Sequence, residues 1–163
     1  MIQITDKSHC CGCTACVSIC PKQCIAMRED EEGFLYPVVD DSLCIDCGLC
    51  EKVCPVLHTD EEREPLDVYA AQNKDEQIRQ KSSSGGIFTL LAENEIEKGG
   101  VIFGVRFDEN WDVIHDCTET KEGLAAFRGS KYVQSRMGDC YKQIKSFLKA
   151  GRKVMFTGTP CQV

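Results

Sequence analysis

The chain has 163 residues, a formal charge of −7 and a 42% hydrophobic composition with few aromatics, enough for one ordinary domain or for one tiny and one modest domain. Its acidic balance argues against nucleic acid, which would need a basic face, and no apolar run reaches the length of a membrane span. The opening Met1–Lys7 has neither the cationic start nor the long apolar stretch of a secretory leader. Thirteen cysteines would mean a disulfide scaffold in a secreted chain. Their spacing here is of a metal-binding kind, which requires reduced thiols and so a cytoplasmic location.

The first stretch of the chain reads Cys10, Cys13, Cys16, Cys20-Pro21, and then Cys44, Cys47, Cys50, Cys54-Pro55, the second set repeating the first at an offset of 34 residues. Both sets fit C-x2-C-x2-C-x3-C-P, the spacing of two-cluster bacterial ferredoxins. Three cysteines separated by two residues let a tight loop wrap three corners of a cubane. Small residues between them (Gly12, Thr14, Ala15 and Gly48) let backbone N–H groups turn toward the sulfurs. The fourth cysteine of each set faces the other way and serves the other cluster. Two 4Fe–4S clusters are therefore expected, one on Cys10, Cys13, Cys16 and Cys54, the other on Cys44, Cys47, Cys50 and Cys20. Zinc is the competing reading of C-x2-C pairs, but zinc sites take two such pairs rather than two triplets each followed by Cys-Pro.

Between the sets, Ile25–Arg28 and Phe34–Val39 read as two strands joined by the polar turn Glu29–Gly33. Residues 1–57 thus form a ferredoxin-like domain that buries little apolar surface and relies on its clusters for stability. Residues 58–66, charged and containing Pro65, read as a linker. The rest, residues 67–163, reads as an α/β domain, and the fold class of the whole chain as α+β. In order, Val68–Ala71 suggests a buried strand, Asp75–Gln80 a polar helix, and Ser82–Gly86 a loop. Ile87–Glu97 is a helix with Ile87, Leu90, Leu91 and Ile96 near helical period, stopped by Gly99-Gly100. A strand Val101–Phe107, a turn Asp108–Trp111 and a strand Asp112–Cys117 follow. Lys121–Phe127 is a brief helix and Gly129–Val133 a loop and strand edge. Met137–Ala150 is an amphipathic helix with Tyr141, Ile144, Phe147 and Leu148 inward, and Lys153–Thr157 is a strand. Strands alternating with helices argue a sheet containing at least one antiparallel hairpin. Because the residues end just after a strand-to-turn signature, the domain is expected to be incomplete, as in a truncated product or fragment.

Four segments of this second part carry a family likeness: Ser82-Ser83-Ser84-Gly85-Gly86-Ile87-Phe88-Thr89, Gly100–Val105, Arg128-Gly129-Ser130-Lys131-Tyr132-Val133-Gln134-Ser135 and Phe156-Thr157-Gly158-Thr159-Pro160-Cys161-Gln162. In this order, and behind a two-cluster domain, they resemble the N-terminal part of the coenzyme F420 hydrogenase/dehydrogenase beta-subunit family. The resemblance implies an oxidoreductase subunit that binds FAD, takes two electrons from a reduced deazaflavin or related donor, and passes them singly to the clusters and on to a redox partner protein. It implies that Ser84, Gly85 and Gly86, opening a helix, hold flavin through backbone N–H groups, and that Lys131 neutralises phosphate or the reduced ring. Cys161 stands where the family places one ligand of a further cluster. The co-ligands lie downstream in the family, so Cys161 cannot complete a third site within these residues. A flavin-free two-cluster electron carrier, or an inactive fragment of a larger oxidoreductase, is the alternative.

The remaining candidates have plainer readings. Cys11 and Cys24 lie outside the ligand spacing and read as packed thiols, although Cys11 could replace its neighbour Cys10. Cys117 and Cys140 read as core or surface thiols. His58 and His115 read as structural or solvated, and His9 stands close enough to Cys10 to hydrogen-bond a cluster sulfur. The acidic runs Glu29–Glu32 and Asp60–Glu64 read as solvated surface, and Tyr69 and Trp111 as packing residues.

Overall fold

In a computed structural model, residues 1–58 and 64–163 are described. Most of the expected linker, and of the acidic run within it, lies outside the described residues. The chain divides into two units, Met1–Arg63 with Pro160–Gln162, and Glu64–Thr159 with Val163.

In the first unit the 34-residue repeat extends to the backbone. Each copy opens on an aspartate whose Oδ1 accepts hydrogen bonds from the N–H and hydroxyl of the serine two residues on. Asp6 accepts from Ser8 at 2.9 and 2.7 Å, and Asp40 from Ser42 at 3.0 and 2.6 Å. Such side-chain turns hold the backbone out of regular structure. The chain then enters the left-handed region twice in each copy, at Gly12 (φ 60°) and Thr14 (62°), and at Asp46 (48°) and Gly48 (70°). Each second left-handed residue opens a short helix, α1 (Ala15–Ile19) and α2 (Leu49–Lys52). The Thr14 and Gly48 carbonyls accept from the N–H of Ser18 and Lys52 at 3.0 and 3.1 Å.

The expected hairpin joins the copies: β1 (Ile25–Glu29) and β2 (Leu35–Val39) pair antiparallel, with Ile25 opposite Val39 and Glu29 opposite Leu35. Asp30 organises its turn, Oδ1 accepting from the N–H of Glu32 and Phe34 at 3.0 Å and Oδ2 meeting the Lys7 ammonium at 2.6 Å. The buried apolar cluster of this unit consists of Ile2, Cys16, Cys24, Ile25 and Cys50.

The second unit is built on β3 (Val101–Phe107), whose first four residues are all buried. It pairs antiparallel with β4 (Val113–Thr118) and parallel with β5 (Val154–Phe156), giving the order β4-β3-β5. Alternation along β3 separates two cores. Ile102 packs with Ala92, Leu124 and Phe127, covered by Phe88 and Ile96 of α4 (Ile87–Glu97). Val101 and Phe103 pack with Met137 and Cys140, covered by Tyr141, Ile144 and Phe147 of α5 (Cys140–Lys149). A helix on each face explains why β3 reads as a continuous apolar run. A short helix, α3 (Glu76–Gln80), is capped by the Asp75 carboxylate, which accepts from the N–H of Gln77 and Ile78. A 3-10 turn covers Gly123–Phe127.

Several expectations fail in this unit. Val68–Ala71 forms no strand, and Val68 and Tyr69 are more than four-fifths exposed; four apolar residues without alternation do not distinguish a buried strand from an exposed run. Trp111 is likewise exposed, its ring centroid 5.7 Å from that of Phe107. Leu90, Leu91 and Leu148 are about half exposed, because Thr89, Ala92 and Cys140, small side chains of mixed polarity, take the buried positions on the two helices. No strand edge forms at Gly129–Val133; a single bridge joins Arg136 to Ile114 instead.

Candidate metal centres

The repeat sets the eight cysteines around two cavities. One is lined by Cys10, Cys13, Cys16 and Cys54, the other by Cys44, Cys47, Cys50 and Cys20. Each thus draws three cysteines from one copy and the fourth from the other. The prolines after the crossing cysteines, Pro55 and Pro21, line the same cavities. The crossing follows from the helices: α1 carries the chain from Cys16 to Cys20, and α2 from Cys50 to Cys54, across to the opposite loop.

Backbone N–H groups reach the sulfurs. Ile2 N–H donates to Cys50 Sγ at 3.3 Å, and Asp46 N–H to Cys44 Sγ at 3.4 Å. The left-handed turn at Asp46 makes the latter bond possible, and Gly12 repeats that turn in the other loop. Burial, with the Cys13 charge behind it, pushes the Cys16 thiol up to about 12, and burial also raises Cys13. Cys20 moves the other way. Burial acts to raise it, but hydrogen bonds from the Cys24 backbone and thiol and from the Lys22 and Gln23 backbone outweigh that effect. A buried thiol held protonated becomes a ligand when a cation displaces its proton, so binding of iron and release of protons are linked.

The donor set fits a cluster better than a single ion. A zinc site brings four donors to about 2.3 Å from one point. Among the described residues, no three Cys, His, Asp or Glu side chains converge in that way. The thiols instead surround a cavity, as donors that each take a different iron must.

Two cysteines outside the spacing also line these cavities: Cys11 beside the first and Cys24 beside the second. Cys24 is buried, with its Sγ 3.4 Å from Cys20 Sγ, and hydrogen bonding to Cys20, with burial behind it, pushes its thiol up to about 11. The sequence signal for it was weak, since only its nearness to Cys20 marks it. The Asp6/Asp40 turns had a clearer signal that the cysteine spacing alone overlooks: Asp-x-Ser-x-Cys occurs in both copies. Cys161 is half-buried, in the segment Pro160–Gln162 that groups with the first unit. Burial, then the charge and hydrogen bond of Cys161, push the Cys11 thiol up to about 11. His9 lines neither cavity.

The residues expected to hold flavin lie on two segments of the second unit. Ser130 N–H donates to Ser83 Oγ at 2.9 Å, tying the segment with Lys131 to the loop with Ser84, Gly85 and Gly86. Gly86 caps α4 without a side-chain hydrogen bond. Gly85 is required by packing, for a Cβ there would lie 2.7 Å from the Ala71 carbonyl oxygen. The Lys131 ammonium donates to the Ala126 and Arg128 carbonyls at 3.0 Å each, and burial lowers its pKa. His115, expected to be structural or solvated, is buried, stacked on Phe156 at 5.3 Å, with Nε2 3.2 Å from the Thr157 carbonyl oxygen. No described helix is long and apolar enough to cross a membrane.

Comparison with known proteins follows the same division. Residues 9–57 match the 4Fe-4S dicluster domain, and residues 68–141 match the N-terminal domain of the coenzyme F420 hydrogenase/dehydrogenase beta subunit. No curated protein matches the chain. The two matches support 4Fe–4S clusters and an iron–sulfur electron-transfer role. The chain is therefore similar over residues 9–57 to a 4Fe-4S dicluster domain, and over residues 68–141 to the N-terminal domain of the coenzyme F420 hydrogenase/dehydrogenase beta subunit, the family its second half resembles in sequence.

Proposed function

We propose that this chain is an oxidoreductase subunit that moves electrons between a hydride donor of the deazaflavin type and a redox partner protein. In this reading residues 1–57 and 67–163 are its two domains, and 58–66 joins them. Cys10, Cys13, Cys16 and Cys54 hold one 4Fe–4S cluster, and Cys44, Cys47, Cys50 and Cys20 the other. The observation that carries the reading is the pair of cavities, each lined by three cysteines of one motif and the fourth of the other. Bound FAD would supply the conversion of a two-electron donor to one-electron acceptors, and the clusters the single-electron steps. The protein's own part is to fix the thiolates, to aim the Ile2 and Asp46 N–H groups at sulfur, and to keep water from the most buried ligands, Cys16 and Cys50. Ser84–Gly86 would meet flavin phosphate at the uncapped start of α4, with Lys131 on the adjoining segment. Exposed thiolate ligands such as Cys47 suit a reducing, cytoplasmic setting.

The flavin-free carrier has an observation in its favour too. Gly85 packing against Ala71, and the two carbonyl bonds of Lys131, account for these residues without a ligand. Anaerobically purified protein decides between the readings. About eight irons per chain, as two cubanes require, together with flavin released by acid, supports the subunit. Eight irons without flavin, even after incubation with FAD, supports the carrier. Zinc in place of iron defeats both.

A further inference from the structure

The cysteine spacing gives Cys24 no role, and nothing in the repeat corresponds to it. Its placement is nevertheless well determined. The chain leaves Cys20 through a tight turn, Gln23 adopting a left-handed φ of 52° and donating its N–H to the Cys20 carbonyl at 3.2 Å. The Cys24 carbonyl then accepts from Asp40 N–H at 2.7 Å, at the foot of the β1–β2 hairpin. This brings the Cys24 side chain, 6% exposed, into the cavity of Cys20, Cys44, Cys47 and Cys50, with Sγ 3.4 Å from Cys20 Sγ.

We infer that Cys24 is a positioning residue of the second cluster: its thiol donates a hydrogen bond to the Cys20 sulfur and raises that cluster's reduction potential, an inference that rests on the two-cluster reading above. Between two free thiols either sulfur can donate. A Cys20 bound to iron is a thiolate without a proton, so the S–H of Cys24 becomes the pair's only donor. Cys24 gains no bond to iron and exchanges no electron. Its effect is electrostatic. Reduction places one more negative charge on the cluster and its sulfurs, and a donor aimed at one of those sulfurs stabilises the reduced form more than the oxidised. Burial strengthens the effect, because no water competes for the sulfur on that side. Cys11, the extra cysteine beside the other cavity, is exposed, so solvent weakens any such bond there.

The test compares full-length wild type, Cys24→Ala and Cys24→Ser after reconstitution with iron and sulfide. All three should hold about eight irons. In Cys24→Ala one cluster's potential should shift to a more negative value, while the other stays in place. Cys24→Ser, which retains a hydroxyl donor, should fall between. In D2O, pulsed electron–nuclear double resonance of the reduced wild type should show an exchangeable deuteron near the cluster that Cys24→Ala lacks and Cys24→Ser keeps. Unchanged potentials and an unchanged deuteron signal in a fully loaded Cys24→Ala overturn the inference and leave the two-cluster reading standing. Loss of about half the iron from Cys24→Ala and Cys24→Ser also overturns it, by making Cys24 itself a ligand. Wild type that never reaches two clusters overturns both.

Discussion

The two units exclude water with different materials. Among the described residues of the first, three of the five buried apolar side chains are cysteines, Cys16, Cys24 and Cys50, beside Ile2 and Ile25. In the second, Val101, Ile102, Phe103, Leu124 and Met137 are at most 1% exposed and lie on the two faces of one strand. A segment as short as the first cannot hold itself together on apolar burial alone, and the sulfurs at its centre belong to the proposed metal sites. The lesson is that in the first unit proposed ligands, Cys16 and Cys50, are part of the core, whereas in the second the core and the candidate ligand loops are separate residues.

The largest effect should come from removing iron. Chelation under mild acid should strip hydrogen-exchange protection from β1, β2, α1 and α2 and leave β3 protected; protection of β1 and β2 that survives complete iron loss breaks the contrast. Next, Ile102→Ala, at a fully buried position, should cost about 2–5 kcal/mol by transfer and cavity terms. Thermal unfolding followed by exchange in Val101–Phe107 reads this out, and iron content should not change. An iron loss comparable to that of a ligand variant would mean that the core of β3 supports the clusters after all.

A smaller effect concerns pH. Burial depresses the pKa of His115, against the opposing bond to the Thr157 carbonyl, and its buried Nδ1 has no hydrogen-bond partner among the described residues. The unfolded chain therefore binds this proton more readily than the folded one. Stability should be complete above the ordinary histidine pKa and should decline as the pH falls through it. His115→Phe should flatten that slope between pH 7 and 5 in denaturant titrations of the second unit; an equally steep slope in the variant would assign it to other groups. The smallest effect is a matched pair. Asp6→Ala and Asp40→Ala each remove the same serine turn, so they should lower stability slightly and by similar amounts. A large difference between them would show that the repeat is not energetically symmetric.

Much of the site was legible because its chemistry is local. The two triplets, the closing Cys-Pro pairs and the 34-residue offset are consecutive in the sequence, and the structure gathers the same eight cysteines into two groups of four. Elements with strong local signals were legible as well: Ile87–Glu97 and Val101–Phe107 have the expected bounds. The failures occurred where a side chain's fate depends on a distant neighbour. Val68 and Tyr69 have the composition of a strand but no sheet partner to pair with. Leu148 has the period of a core position, yet buried Cys140 and half-buried Phe147 face the sheet instead.

The sequence by itself determined the pattern of the proposed metal sites, because cysteine type and spacing are written in consecutive residues and need no long-range contact to be recognised. The tertiary structure alone decided the position of Cys24, since a left-handed Gln23 and a hydrogen bond from Asp40 turn that thiol back onto Cys20. It also decided which helix residues cover β3, because burial depends on what lies opposite each side chain as well as on its own hydrophobicity.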